Sequence, residues 1–283
     1  MPVYRGRIAP SPTGFLHLGH ARTFWITQER ARQAGGSLVL RVEDIDGPRC
    51  RPEFNHALIE DLRWFGFEWQ EGPDCGGPFA PYLQSERRGR HLDGLERLRA
   101  SGWIYPCQCS RRDLLDAPRA PHAEDEEPIY PGHCRPKEAS FVAPEGDFHW
   151  RFRVPEGEEM RFTDGALGLQ TAVAGVDFGD FVVWRRDGVP AYQLAVVLDD
   201  AAMGITEVVR GSDLLVSTFR QLLLYRALGL TPPEFYHTAL LTDPVTGLRL
   251  AKRHAALSLG QLRASGNSPE TLRSSWACPK NGL

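Results

Sequence analysis

The stretch Arg7-Ile8-Ala9-Pro10-Ser11-Pro12-Thr13-Gly14-Phe15-Leu16-His17-Leu18-Gly19-His20 decides how this chain is read. It is a Pro/Gly loop that ends in two imidazoles three residues apart. Apolar residues at helical spacing follow it (Ala21, Phe24, Trp25, Ala31, Ala34) and Gly35-Gly36 closes them, so a helix is predicted over residues 21–34 with the histidines at its start. Gly14 lets backbone approach a ligand closely, Gly19 keeps the first turn uncrowded, and free N–H groups at the helix opening near Ala21 favour an anion. The arrangement points to phosphate handling, with the histidines as donors beside the anion.

Outward from that loop, residues 4–9 and 37–43 read as strands, because their apolar runs are too short for helices. Strand, helix, strand is how a parallel sheet is built, and ligands on such sheets collect at the carboxyl ends of the strands. Glu43-Asp44-Ile45-Asp46 occupies that end of the second strand. Residues 53–65 and 85–100 read as amphipathic helices separated by a Gly/Pro loop over 72–78. Residues 103–147 turn to Pro, Cys, His and acidic residues and read as an insertion poor in regular elements, with Glu124-Asp125-Glu126-Glu127 a solvated loop. Strand character resumes at 148–154 and 160–173. Two apolar runs, 180–184 and 191–198, joined by a turn at 186–190, read as a return of the sheet, with 205–210 its last strand. A helix over 217–228 closes at Gly229, and two short helices are expected at 256–264 and 268–276.

At 283 residues, 42% hydrophobic and 24% charged, the chain has room for one large domain or two small ones. It shows no run of about 18 apolar residues and no signal-peptide pattern, so it is expected to be cytoplasmic and without a membrane partner. The formal charge of −3 offers no independent support for a nucleic-acid partner, so any RNA contact relies on local patches. Six cysteines without framework spacing argue for a metal or plain burial rather than disulfides.

The loop and helix start resemble the His-Ile-Gly-His signature of class I aminoacyl-tRNA synthetases, and Arg-x-Ala-Pro-Ser-Pro-Thr-Gly before it resembles the glutamate-specific branch. The resemblance implies an α/β fold: a Rossmann-like catalytic domain in two halves, residues 1–100 and 181–240, around an insertion at 101–180, with a signature loop and short helical tail at 241–283. It also implies ATP held by Gly14, His17, Gly19 and His20, with Mg2+. Glutamate presents an ammonium and two carboxylates, and a guanidinium fork suits a carboxylate better than an ammonium does. By resemblance Glu43 takes the ammonium, Arg7, Tyr192 and Arg210 hold carboxylates, and Ala9 and Ser11 complete the pocket. Asp199-Asp200 receives no role.

Class I synthetases carry a second signature, Lys-Met-Ser-Lys-Ser, whose lysine neutralises the departing pyrophosphate. Arg249-Leu250-Ala251-Lys252-Arg253 resembles it with two departures: Arg249 replaces the first lysine and Ala251 removes the serine hydroxyl, while Lys252 stands as the second lysine and a catalytic group beside His17 and His20. Within the insertion, Cys107-Gln108-Cys109 and Tyr130-Pro131-Gly132-His133-Cys134 gather three thiols and a phenol in one short segment, a good beginning for zinc. General chemistry favours His133 or His122 as the fourth ligand. Resemblance to the glutamyl-queuosine tRNA(Asp) synthetase family, with its Cys-x-Cys, spacer, Tyr-x-x-x-Cys pattern, implies instead Cys107, Cys109, Tyr130 and Cys134 around a structural Zn2+. Glutamyl-tRNA synthetases continue into an anticodon-binding domain for which these residues leave no room, which points to the same family. The implied activity is ATP-dependent activation of L-glutamate and transfer to queuosine at the wobble position of tRNA(Asp). The alternatives are a truncated or discriminating glutamyl-tRNA synthetase and a noncatalytic, zinc-containing RNA-binding paralogue.

Overall fold

A computed structural model describes residues 3–110, 129–136, 145–241, 258–274 and 276. In chain order its elements are β1 (Arg5–Ile8), α1 (Leu18–Gln33), β2 (Ser37–Leu40), α2 (Pro52–Phe65), α3 (Arg88–Ala100), β3 (Ile104–Cys107), β4 (His149–Phe152), β5 (Glu159–Asp164), β6 (Gly168–Val173), β7 (Phe181–Trp184), α4 (Tyr192–Ala202), β8 (Glu207–Gly211), α5 (Leu215–Ala227), β9 (Glu234–Thr238), α6 (Leu259–Ala264) and α7 (Pro269–Ser274). They form two compact units, one of residues 1–86, 204–213 and 234–283, the other of 87–203 and 214–233.

In the first unit β1 and β2 pair in parallel across α1, with Arg5 opposite Ser37 and Ile8 opposite Leu40. The strand, helix, strand expectation therefore holds. β8 and β9 also pair in parallel, and Thr206 ties β8 to β1: its N–H donates to the Arg5 carbonyl at 2.9 Å and its Oγ1 accepts from the Arg5 N–H at 2.8 Å. These strands are short and almost wholly buried, as parallel strands covered on both faces must be. Against them packs a core of Ile8, Leu40, Leu62, Phe65, Phe67 and Leu259, so the short α6 belongs to the first unit's core. Glu207 on β8 fixes the far end of α1 by accepting two hydrogen bonds from Arg30, at 2.8 and 2.5 Å, and one from the Tyr4 hydroxyl at 2.7 Å. α2 starts on Pro52 and ends on Gly66, whose φ of 94° is the left-handed cap that glycine adopts without strain.

In the second unit β3, β4 and β7 form an antiparallel sheet in that order, and β5 and β6 a hairpin. The Asp164 carboxylate caps the hairpin turn, accepting from the N–H groups of Ala166 and Leu167. α3 and α4 pack closely: a Cβ on Gly94 would stand 2.4 Å from Leu198 Cδ1, so any larger residue there would have to displace the Leu198 side chain. A polar cluster closes the same seam. Asp199 on α4 accepts from Arg87 Nε at 2.5 Å and lies 3.2 Å from His91 Nε2, all three wholly buried.

Two expectations need correction. Residues 191–198, read as a strand, lie within the helix α4; a buried helix and a buried strand both present continuous apolar runs, and α4 is buried from Leu194 to Asp200. Residues 205–210 are not the last strand, since β9 follows and completes the parallel set. The sparse insertion also holds one strand, β3, which pairs with β4 from 45 residues farther along, Ile104 opposite Phe152. Among the described residues no helix is long and apolar enough to cross a membrane.

Candidate active site and metal centre

Arg7, Glu43 and Arg210 lie at or just beyond the carboxyl ends of β1, β2 and β8, and all three are buried. Buried charge must find partners, and here the sheet supplies them. Arg7 Nη1 donates to the Val209 carbonyl at 3.2 Å, which sets it beside the strand position of Arg210. The Glu43 N–H donates to the Pro10 carbonyl at 2.9 Å, holding Glu43 against the chain as it leaves β1, and its Oε1 accepts from Arg41 Nη2 at 3.0 Å. Arg210 Nε donates to His237 Nε2 at 3.2 Å, and the two are register partners across β8 and β9. A histidine accepting at Nε2 is neutral with its proton on Nδ1, so His237 orients the guanidinium without repelling it. Two arginines and a carboxylate at the carboxyl ends of neighbouring strands complement a ligand that carries carboxylate and cation together. Ala9 is half-buried where β1 passes into the loop, and Ser11 is exposed with its carbonyl accepting the Thr13 N–H. Tyr192 opens α4 in the other unit, half-buried.

The two histidines do more than flank the helix. His17 is the N-cap of α1: its Nδ1 accepts from the Gly19 N–H at 3.1 Å, the His17 N–H donates to His20 Nδ1 at 3.5 Å, and the rings stack 3.8 Å apart. α1 therefore begins at Leu18, and the expectation of an uncommitted helix opening near Ala21 is corrected, because the His17 imidazole already accepts a hydrogen bond from the Gly19 N–H. With both Nδ1 atoms accepting, each neutral ring carries its proton on Nε2. Gly19 leaves room for that stack, since a Cβ there would meet His17 Cε1 at 3.0 Å.

Lys252 and the rest of 249–253 lie outside the described residues, but both flanks of that stretch are fixed beside α1. Before it, Arg22 Nη1 donates to the Ala239 carbonyl at 2.7 Å, and the hydroxyls of Thr23 and Thr238 are 3.3 Å apart. After it, the Leu259 N–H donates to the Leu16 carbonyl at 2.8 Å and Ser258 bridges to His17, while the Ser258 side chain caps α6.

In the second unit Cys107, Cys109 and Cys134 converge, with their sulfurs within 4.8 Å of one another. Tyr130 Oη lies 3.4 Å from both Cys107 Sγ and Cys109 Sγ, Cys109 Sγ is 3.5 Å from Cys134 Sγ, and Tyr130 Oη accepts the Cys134 N–H at 2.7 Å. A tetrahedral zinc with its usual bond lengths has sulfur–sulfur edges of about 3.8 Å and sulfur–oxygen edges of about 3.5 Å. These donors stand close to that geometry. His133 is not part of the cluster; its ring centroid is 6.4 Å from that of Tyr130. Burial pushes the Tyr130 phenol far up, and hydrogen bonding to Cys107 adds to it. Burial likewise drives the Cys109 thiol up to about 11. For Cys134 burial acts upward too, but hydrogen bonds from Tyr130 and the backbone outweigh it and hold the thiol below its ordinary range. Three thiols and a phenol crowded together compete for protons in a way that a divalent ion would resolve.

Several supporting groups were given no role in the sequence reading. Arg41 is the partner of Glu43, and the alternation Arg41-Val42-Glu43, with both charges on one face of the chain, was the available signal. His237, Asp199 and Arg151 lack any such local signal, because strand register or helix packing brings each to its partner from far along the chain.

Comparison with known proteins bears on both sites. Residues 4–277 match the family model of tRNA synthetases class I (E and Q), catalytic domain. A protein of Symbiobacterium thermophilum named glutamyl-Q tRNA(Asp) synthetase is 53% identical over 272 residues, covering 94% of this chain and 83% of that protein. Glutamate–tRNA ligase 1 of Halorhodospira halophila is 46% identical over 270 residues, covering 94% of this chain and 56% of its own length. Among solved structures, the glutamate-tRNA synthetase of Elizabethkingia anophelis superposes with a TM-score of 0.77 at 32% identity, over 88% of this chain and 52% of that one. The chain thus spans about half the length of the glutamate–tRNA ligases it matches.

Proposed function

Because this chain belongs to the class I tRNA synthetases (E and Q), catalytic-domain family, we propose that it activates L-glutamate with ATP and transfers it to queuosine at the wobble position of tRNA(Asp). The observation that carries the reading is the gathering of Arg7, Glu43 and Arg210 at the carboxyl ends of neighbouring strands, in the unit that also holds the capped His17–His20 pair. The acceptor is supported by similarity to a glutamyl-Q tRNA(Asp) synthetase, most of whose length this chain covers.

In the first step a glutamate carboxylate oxygen attacks the α-phosphorus of ATP, a carboxyl–phosphate bond forms, and the bond to the bridging oxygen of pyrophosphate breaks. Glu43 holds the ammonium; Arg7 and Arg210 hold carboxylate oxygens, with Ala9 and Ser11 lining the pocket. His17 and His20 donate through Nε2 to the phosphates, where fixed donors are worth most as charge moves. Lys252 joins them as pyrophosphate departs, and it lies six positions before Ser258, whose bridge to His17 gives it a reach of at most about 22 Å. Mg2+ accompanies ATP and neutralises phosphate oxygens. In the second step a hydroxyl of the queuosine cyclopentenediol attacks the acyl carbonyl and loses its proton, the ester forms, and AMP leaves. Cys107, Cys109, Tyr130 and Cys134 hold a structural zinc that fixes the segment against RNA.

The match to glutamate–tRNA ligases favours a second reading, the charging of an ordinary tRNA 3′ end. Two assays separate these readings from one another and from a noncatalytic RNA-binding protein. Glutamate-dependent exchange of pyrophosphate into ATP without tRNA is expected, and its absence would reduce the protein to a binding module. Radiolabelled glutamate is expected on tRNA(Asp) carrying queuosine and not on the same tRNA lacking it; equal labelling of both would establish the second reading.

A further inference from the structure

We propose that Arg151 is the positioning and charge-balancing residue of the cysteine–tyrosine centre, a buried guanidinium that aligns Cys107 and Tyr130 for the metal and offsets the negative charge they bring. The inference rests on the zinc reading of that centre. Arg151 lies on β4 and is 4% exposed. Strand register sets it opposite Tyr105, two residues before Cys107. From there its Nε donates to Cys107 Sγ at 3.3 Å, its guanidinium carbon stands 4.0 Å over the Tyr130 ring centroid, and its Nη1 donates to the Asp180 carbonyl at 3.1 Å.

These contacts do separate things. The hydrogen bond to sulfur stabilises a thiolate and points one of its lone pairs away, leaving another for a metal. The stacked cation is attracted to the electron-rich face of the phenol ring and fixes its plane, and the attraction grows as the oxygen gains negative charge. Three thiolates and a phenolate exceed a divalent ion by two negative charges, and in a site this buried a single guanidinium removes half of that excess. Arginine suits the task better than lysine, because its planar face stacks while its edge donates.

Asp180 ties the arrangement to the other end of the centre. Its backbone carbonyl orients Arg151, and its carboxylate accepts from the Tyr105 hydroxyl at 2.5 Å, the Val154 N–H at 2.8 Å and Arg135 Nη1 at 3.1 Å. Arg135 follows Cys134 directly and also donates through Nη2 to the Val154 carbonyl at 2.8 Å. One aspartate thus holds the guanidinium that faces Cys107 and Tyr130 and the residue next to Cys134. Outer groups of this kind commonly change metal affinity by about 10- to 100-fold.

The test is zinc affinity of the full chain, measured by competition with a chromophoric chelator at fixed pH. Arg151→Gln is expected to bind zinc about 10- to 100-fold more weakly than the parent, and Arg151→Lys to fall between them, since it keeps the charge but loses the stack. In a Tyr130→Phe background the cost of Arg151→Gln is expected to shrink to about threefold, because part of the action runs through the phenol. The ligand-field bands of the cobalt-substituted protein should shift in Arg151→Gln, which a loss of fold stability alone would not produce. A parent that binds zinc with Arg151→Gln within about twofold of it would overturn the role of Arg151. If Arg151→Gln does not fold, equal affinity of Arg151→Lys and parent has the same force. A folded parent that takes up no zinc would instead overturn the zinc reading, and the role of Arg151 with it.

Discussion

Asp199 is the residue whose loss the fold should feel most. Its carboxylate is wholly buried between Arg87 Nε at 2.5 Å and His91 Nε2 at 3.2 Å, and Arg87 is itself only 1% exposed. Replacing Asp199 by Asn keeps the shape and removes the charge, which leaves a guanidinium buried without its counter-ion. Breaking a buried pair from one side costs about 3–5 kcal/mol, whereas an exposed pair would cost under about 1 kcal/mol. The missing charge is not offset by bulk solvent, because Arg87, His91 and position 199 are all buried. For a chain of this size each kcal/mol lowers the melting temperature by about 2–4 °C, so Asp199→Asn is expected to melt about 6–20 °C below the parent. The assay is thermal unfolding followed by circular dichroism, with urea unfolding alongside in case the two units melt separately. The double variant Arg87→Met/Asp199→Leu removes both charges and is expected to recover most of the loss. A melting temperature for Asp199→Asn within about 2 °C of the parent, or a double variant no better than the single one, would refute the pairing argument.

The remaining predictions concern the two sites and the pH response. Arg210→Lys loses the bidentate fork, and a charged hydrogen bond worth about 1.5–3 kcal/mol should raise the glutamate concentration for half-maximal pyrophosphate exchange by about 10- to 100-fold, with the value for ATP within about threefold; an unchanged glutamate dependence would remove Arg210 from the pocket. Stripping the metal with a chelator is expected to depress transfer to tRNA at least about 10-fold while exchange without tRNA stays within about threefold, and equal losses in both would show that the ion serves activation as well. Burial and the neighbouring Arg186 push His149 down to about 4. The folded protein therefore binds fewer protons there than the unfolded chain, and this contribution is complete above the ordinary histidine value and lost as the pH falls from about 6.5 toward 4. With His149 only partly buried the loss is about 1–2 kcal/mol, read as the difference in urea midpoint between pH 7 and pH 5, and His149→Asn should flatten it. Asp61 and Asp180 are both raised by burial and act in the opposite sense, so the parent-minus-variant difference isolates the histidine; identical slopes in parent and variant would refute it.

What could be read from the chain divides by sequence distance. The end of α2 at Phe65 and the convergence of Cys107, Cys109 and Cys134 are built from residues within one stretch and were visible as spacing, whereas Tyr130 came from the family resemblance and the His17 cap was not anticipated. Backbone hydrogen bonding acts over three or four residues, so a cap or turn announces itself locally. Arg7, Glu43 and Arg210 could be nominated one by one as charges at strand ends, but only the parallel pairing of β1 with β2 and the hydrogen bonds that tie β8 to β1 from some 200 residues along the chain make them neighbours. Residues 191–198 failed for another reason: an apolar run with no polar face carries no period, and burial on every side removes the alternation that tells helix from strand.

The groups left unread share one property: each neutralises or orients a charge from a different element. His237 reaches Arg210 through the β8–β9 register, Arg151 reaches Cys107 through the β3–β4 register, and Asp199 reaches Arg87 through the packing of α4 on the segment before α3. A one-residue slip of β4 against β3 would turn Arg151 to the opposite face and leave Cys107 and Tyr130 without their cation. The register is held by side chains away from the metal ligands, among them the stacked rings of Trp103, Phe152 and Phe181. Phe152→Ala should therefore loosen zinc binding although it touches no ligand, and zinc affinity equal to the parent's in a folded Phe152→Ala protein would show that the metal centre sets its own geometry without the sheet.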